Sequence, residues 1–294
     1  GVAGESGCGK STLARALMGL QRVTSGNIQL ADKELTQLTR GGWQTLRRQV
    51  QMVFQDPLAS LNPRMTVGES IAEPLVNLAP ELSRAQRQRQ AVEMLEKVGL
   101  SNHHVLRYPH ELSGGQCQRI GIARALVVKP SILICDEPVS ALDASVQAQI
   151  INLLKDLQAD MRLAIIFIAH NLSIVRQVSH RVLIMYLGKI MEQATREALF
   201  ERPGHPYTRA LLSAIPIPEI DSVHAHKRVI LRGDPPSPAS PPSGCVFRSR
   251  CPWVAELCAQ EVPTPRHLEL NQTAACHFAG ELDEMSVGST QELA

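Results

Sequence analysis

The consecutive residues Gly4-Glu5-Ser6-Gly7-Cys8-Gly9-Lys10-Ser11-Thr12 follow a pattern of glycine, four residues, then Gly-Lys-Ser. Glycines at those places let the backbone wrap round a row of phosphates, with successive N–H groups and the start of a helix aimed at anionic oxygens. Lys10 would add a point charge on the outer phosphates, and the Ser11 hydroxyl a ligand for the accompanying Mg²⁺. Asp136 and Glu137 end the apolar run 132–135. One suits holding Mg²⁺ through water, and the other suits taking a proton from an attacking water, a role worth about 10²–10⁴-fold in rate. Gln55 follows the strand-like stretch 50–54, and His170 ends a further apolar run, 163–169. Leu112-Ser113-Gly114-Gly115-Gln116 places a hydroxyl and two glycines at a helix start, a second anion-binding end, and Asp143 opens the next helix. Each motif has a bland counterpart: a Gly-rich turn, a loop glutamine, a solvated acidic turn, an N-cap or a structural histidine.

These groups act together only if strands and helices bring them to one place. Leu13, Ala16, Leu17 and Leu20 predict a helix over 13–20 leaving the loop. Only Gly1, Val2 and Ala3 precede the loop, too few for the buried strand that must hold it, so the sequence reads as a fragment without its natural N-terminal strands. Ile28 and Leu30 alternate as in a small antiparallel sheet, residues 43–48 read as helix, and 50–54, 132–135, 163–169 and 181–185 as buried strands. Between 56 and 112, Pro-interrupted loops give way to an Arg- and Gln-rich helix through Val98, a helical insertion whose segment 58–67 reads as a partner-facing surface, or else as the solvated loop that is the default for such composition. The fold class is α/β, a mainly parallel sheet with helices on both faces and the ligand motifs at one edge. The expected organisation is 1–55 for the first part of the core, 56–112 for the insertion, 113–200 for the rest of the core, 201–244 for an extension with a Pro-rich linker, and 245–294 for a Cys-containing tail.

With 294 residues, 44% of them hydrophobic, the chain can build one sizeable core and a smaller appended unit. A net charge of +2 gives no argument for a nucleic-acid partner. Cys8, Cys117 and Cys135 stand alone inside other motifs, as in a reducing compartment. Cys245, Cys251, Cys258 and Cys276 lie together in a stretch with little apolar content, which asks for a metal-stapled unit. Their spacings, with five, six and seventeen residues between them, do not match short zinc knuckles. An iron–sulfur cluster, reduced thiols and zinc all stay open, and disulfides fit this compartment least.

In this order, the loop 4–12, Gln55, 112–116, Cys135-Asp136-Glu137, Asp143 and His170 resemble the ATPase subunits of ABC transporters, which are P-loop NTPases. The resemblance implies that residues 4–12 bind ATP, that Ser11, Gln55 and Asp136 hold Mg²⁺, that Glu137 is the general base, and that His170 is the switch histidine. It implies that Leu112, Ser113, Gly114, Gly115, Gln116 and Asp143 serve the site of a second subunit. Asn171 departs from the aspartate usual after the switch histidine, and the aromatic residue that stacks on adenine would lie before Gly1.

The stretches 53–64, 107–111 and 205–211, with the Cys-containing tail, are similar to the oligopeptide and dipeptide importer branch, and within it most like the second ATPase subunit. That implies an unlike ATPase partner, two transmembrane permease subunits, an extracytoplasmic peptide-binding protein, no nucleic acid, and a peripheral place at the cytoplasmic face of the cytoplasmic membrane. It also implies a tail able to hold a 4Fe-4S cluster. The rival readings are a soluble ABC ATPase acting on DNA or ribosomes, an importer for nickel or another small solute, and a subunit that binds ATP without hydrolysing it.

Overall fold

The computed structural model describes residues 1–36, 38–215, 229, 231, 233–269 and 271–282. In chain order the elements are β1 (Val2–Ala3), α1 (Lys10–Leu17), β2 (Gln29–Leu30), β3 (Lys33–Glu34), α2 (Arg40–Gln49), β4 (Val50–Val53), α3 (Val67–Leu78), α4 (Arg84–Lys97), α5 (Gly114–Leu126), β5 (Ile132–Asp136), α6 (Ala144–Met161) and β6 (Ala164–Ala169). There follow α7 (Leu172–Val178), β7 (Arg181–Tyr186), β8 (Lys189–Thr195), α8 (Arg196–Glu201), α9 (Pro206–Ser213), α10 (Leu257–Gln260), β9 (Arg266–Leu268) and β10 (Gln272–Ala274). Two compact units result: residues 11–168, and the described residues of 1–10 and 169–294. Among the described residues no helix is long and apolar enough to cross a membrane.

In the unit 11–168, β4, β5 and β6 run parallel, with Val53 beside Cys135 and Asp136 beside Ile168. Parallel in-register strands end at one edge, so Asp136 and the residue after β4 emerge on the same side. The strands are apolar because both faces are covered: Leu133, Ile134, Cys135 and Phe167 are all buried. Helix α1 stops at Leu17 and not at the expected Leu20. Gly19 takes φ +66°, its N–H bonds the Ala16 carbonyl, and the Leu20 N–H reaches back to Arg15 at 2.8 Å, a Schellman end that only a residue without Cβ forms cheaply.

The stretch read as Pro-interrupted loop contains a full helix, α3, with Pro74 inside it. The helix survives because Thr66 and Glu69 form a capping box and because Ile71 and Leu75 are buried, each worth about 1.5–3 kcal/mol. That exceeds the backbone bond which Pro74 cannot donate. Helices α3 and α4 pack against α5, where Leu95, Ile120 and Ile122 are fully buried. Arg124 of α5 donates to the Ser60 carbonyl at 2.6 Å and pairs with Glu73 of α3 at 2.8 Å, tying segment 58–67 to the helices.

In the other unit, β1 is a two-residue strand parallel to β7, with Val2 beside Leu183 and Ala3 beside Ile184. The turn Leu187-Gly188, both at positive φ, returns the chain as β8, antiparallel to β7. The cysteine-bearing tail is held by strand pairing and by a small buried core. Its β10 pairs with β8, Thr273 opposite Gln193, and β9 pairs with β10. Phe247, Trp253, Ala279 and Leu282 of the tail are buried. Glu192 of β8 is fully buried and accepts from the N–H groups of Gly204 and His205 and from Gln272 Nε2, at 2.8, 2.9 and 2.6 Å. Burial raises its pKa above the usual carboxylate value, and the hydrogen bonds work against that shift. The Pro-rich stretch 233–242 has neither helix nor strand, as expected, and the end of the tail, 283–294, lies outside the described residues.

Candidate nucleotide site

The loop leaves β1 at Gly4, whose φ is +153° and where a Cβ would stand 2.2 Å from the Met185 carbonyl oxygen. No other residue fits there. Ser6 and Gly7 form the exposed crest of the loop, while Cys8 and Lys10 turn inward. Lys10 is 4% exposed, and its ammonium donates to the carbonyls of Gly4 at 2.8 Å and Glu5 at 3.0 Å. The cation is thereby fixed at the base of the loop. The Cys8 thiol lies 3.8 Å from it, with its pKa raised by burial and partly brought back by the Lys10 charge.

Glu5 donates its N–H to the Tyr207 hydroxyl at 2.9 Å, and its carboxylate takes two bonds from Arg250, at 2.7 and 3.0 Å. Nothing in the sequence patterns named Arg250 or Tyr207 as neighbours of the loop. His170 follows β6 immediately and is exposed. The next residue, Asn171, caps α7 by accepting from the Ser173 N–H at 2.9 Å, a task open equally to the expected aspartate.

In the unit 11–168, Ser11 at the start of α1 donates its hydroxyl to Asp136 Oδ1 at 3.1 Å, and Asp136 is 4% exposed. A serine hydroxyl beside a buried carboxylate, with a glutamine at the neighbouring strand end, is an all-oxygen donor set of the kind Mg²⁺ takes. Thr12 is exposed on the helix. Gln55 Nε2 stands 3.3 Å from Glu137 Oε2. Glu137 holds φ +46°, a left-handed conformation rare for a side chain of its size, and its N–H donates to the Ile168 carbonyl at 3.0 Å. Pairing with β6 thus turns the chain sharply just past Asp136, and two adjacent acids point to different tasks.

The segment 112–116 forms the start of α5. Ser113 and Gln116 make a reciprocal capping box, at 3.3 and 3.0 Å, and Gln116 Nε2 lies 3.4 Å from His104 Nε2. Ser113 and Gly114 are exposed. A Cβ on Gly115 would meet Val146 Cγ1 at 2.6 Å, so α6 packs directly on that backbone. Asp143 caps α6, accepting from the N–H groups of Ser145 and Val146 at 3.1 and 3.0 Å. These bonds hold its carboxyl below the usual range. Its carboxylate orients the helix that supports Gly115.

All seven cysteines are free. Cys245, Cys258 and Cys276 are buried, Cys251 is half-buried, and the Cys245 N–H donates to the Cys258 carbonyl at 2.8 Å. Burial pushes Cys251 up to about 12 and Cys276 up to about 11, with the neighbouring tail thiols adding to the shift. Among the described residues no group of three or more His, Cys, Asp or Glu is set to hold a metal ion.

A family model described as ABC transporter matches residues 1–140, and one described as Oligopeptide/dipeptide transporter, C-terminal region, matches 191–258. The oligopeptide transport ATP-binding protein OppF of Salmonella typhimurium is 55% identical over 263 residues, covering 90% of this chain and 79% of that protein. The di/tripeptide transport ATP-binding protein DppF of Pseudomonas aeruginosa is 50% identical, covering 95% of this chain and 85% of that protein. Among solved structures, the dimeric ATP-binding cassette MJ0796 bound to ADP and Pi superposes with a TM-score of 0.60 at 29% identity, over 66% of this chain and 84% of that one. The cassette cbiO1 from Clostridium perfringens gives 0.62 at 30% identity, over 69% and 79%.

Proposed function

This chain belongs to the ATP-binding subunits of ABC-type oligopeptide and dipeptide importers, and on that premise we propose which of its residues bind ATP, hydrolyse it and pass the result to the membrane. The chain is an ATPase subunit coupled to peptide uptake. Residues 4–12 take the phosphates of ATP: backbone N–H groups face the oxygens, and Lys10 shifts its donation from the Gly4 and Glu5 carbonyls to phosphate. Ser11, Gln55 and Asp136 would hold Mg²⁺, which would neutralise phosphate charge. Glu137 accepts the proton of the attacking water, Gln55 holds Glu137 in place, and His170 stabilises the outermost phosphate. Residues 112–116, with Asp143 behind them, serve the ATP bound to a second ATPase subunit, which we take to be an unlike chain.

This reading rests above all on the pairing of Gln55 with Glu137 at 3.3 Å beside Ser11 with Asp136 at 3.1 Å, two contacts that each join residues far apart in sequence. Phe54 and Leu58, on either side of Gln55, are exposed, as is Val76 on α3. A cavity of about 650 Å³ runs along α3, lined by Gly19, Trp43, Arg47, Pro74, Asn77 and Arg124. This surface receives the permease, so a shift at Gln55 reaches the membrane partner, and a peptide-binding protein supplies the cargo from the far side. The place of action is the cytoplasmic face of the cytoplasmic membrane.

For the tail, Cys245, Cys251, Cys258 and Cys276 are the residues that would hold a four-iron cluster, with reduced thiols and zinc as the competing readings. Four buried or half-buried thiols free of disulfides have the donor chemistry such a cluster takes, while among the described residues no group of three or more His, Cys, Asp or Glu is set to hold a metal ion. Iron, sulfide and zinc analysis of anaerobically purified protein decides this point: zinc alone, or no metal, rejects the cluster. The motor is tested by reconstituting the protein with its partner ATPase, permeases and peptide-binding protein in vesicles. ATP-driven peptide uptake that needs every partner is expected. Hydrolysis by the isolated chain at full rate, indifferent to the permeases, would sink the assignment.

A further inference from the structure

Every polar group of Glu5 is committed. Its N–H donates to the Tyr207 hydroxyl at 2.9 Å, its carbonyl accepts from Lys10 Nζ at 3.0 Å, and its two carboxylate oxygens accept from Arg250 Nη1 and Nη2 at 2.7 and 3.0 Å. The fork-to-fork pair is the strong form of an Arg–carboxylate contact. It is also sheltered, with the Arg250 side chain 7% exposed and that of Glu5 27%.

The anchor behind it is stiff. Tyr186, Tyr207 and Phe247 are fully buried and pack with ring centroids 4.9, 5.2 and 5.4 Å apart, and the Arg250 guanidinium lies 5.9 Å over the Tyr186 ring. The Arg250 N–H is held by the Phe247 carbonyl at 3.0 Å, and Cys251 follows directly. The second residue of the phosphate loop is therefore fastened to the part of the chain that carries the thiols. A loop that binds phosphate through backbone N–H groups depends on the direction of those groups, and Glu5 also supplies one of the carbonyls that aim Lys10.

We propose that Arg250 is a positioning residue for ATP: by clamping Glu5 it holds the phosphate loop in its binding geometry, so the cysteine-bearing tail sets nucleotide affinity. The inference rests on reading residues 4–12 as the ATP loop. The test uses the full-length protein in its transporter complex and measures KM for ATP, kcat, and the Kd of a non-hydrolysed ATP analogue. Arg250→Met is expected to raise KM and Kd about tenfold while kcat changes less than about twofold. Arg250→Lys, which keeps the charge without the fork, falls between. Glu5→Gln shifts KM the same way, and the double variant Glu5→Gln/Arg250→Met is no weaker than Arg250→Met alone, because one interaction is lost only once.

An Arg250→Met protein that binds the analogue like the unaltered chain, or a double variant whose losses add, overturns the clamp. Should Arg250→Met lose its near-UV dichroism, Glu5→Gln decides by itself, and an unchanged KM there overturns it. Lys10→Met separates the two levels. If Lys10→Met abolishes binding while Arg250→Met leaves it intact, only the clamp fails. If Lys10→Met binds as before, the loop reading itself fails.

Discussion

The side-chain amide of Gln55 donates to Glu137 Oε2 across 3.3 Å, joining the ends of two parallel strands through residues 82 apart in sequence. Because Glu137 sits at φ +46°, its carboxylate direction depends on this partner as well as on its own backbone. Gln55→Leu should lower partner-stimulated ATPase about 10- to 100-fold, and Glu137→Gln about 10²- to 10⁴-fold with ATP still bound. The double variant should be no slower than Glu137→Gln alone, since both changes disable one unit. Steady-state rates of the three proteins settle it, and multiplied losses would show that the two residues act independently.

Gly115 faces Val146 with no room for a methyl group, a Cβ there lying 2.6 Å from Val146 Cγ1. Gly115→Ala should cost about 1–3 kcal/mol by forcing α5 from α6, and Val146→Ala in the same chain should recover part of that loss. Denaturant unfolding of the single and double variants measures the recovery. Equal stability of Gly115→Ala and the unaltered chain would mean that the helices part without strain.

Acid should weaken the unit that carries α9. His205, buried at its start, accepts from the Tyr207 N–H at 3.0 Å, and burial lowers its pKa to about 3 from 6.5. The unfolded chain therefore takes up this proton first. The contribution of His205 is whole above pH 6.5 and is lost as pH falls toward 3, at most about 1.4 kcal/mol per pH unit. Glu192, bonded to the His205 N–H with its pKa raised, acts in the opposite sense, losing stability as pH rises through its folded value. His205→Asn keeps a capping acceptor but no titrating ring, so its unfolding midpoint should change less between pH 6.5 and 5. A pH series of thermal melts gives the slopes, and parallel curves for both proteins would refute the assignment.

Folding should suppress thiol reactivity. Cys135 is fully buried with its pKa pushed up to about 12, and Cys251 is also near 12 although half-buried. At pH 7.5 the folded protein should react slowly with maleimide at all seven cysteines, and quickly once denatured. Mass spectrometry of timed samples counts the adducts. Fast labelling of Cys135 in the native protein would contradict its place in β5.

Patterns of spacing made much of this molecule readable in one dimension. The loop 4–12, the strands that lead to Gln55, Asp136 and His170, and helices α5 and α6 follow from glycine placement, apolar runs and capping residues, all properties of neighbours along the chain. The end of α1 was legible too, in Gly19, though periodicity alone carried the helix on to Leu20. Pro74 misled for the opposite reason: local propensity breaks a helix there, and burial of Ile71 and Leu75 outweighs it.

What only the tertiary structure decided concerns residues whose contacts have no local signature. Arg250 is one arginine in a short polar turn, Tyr207 one aromatic after a proline, and Glu192 one acid in a strand. Their partners, Glu5, Gly204 and Gln272, are assigned by strand pairing and by the burial of Tyr186, Tyr207 and Phe247, which act over distances the sequence does not encode as spacing. Chemistry that needs residues in a fixed order leaves a motif in the chain. A contact that needs only proximity leaves none until the core has formed, because hydrophobic burial is indifferent to sequence separation.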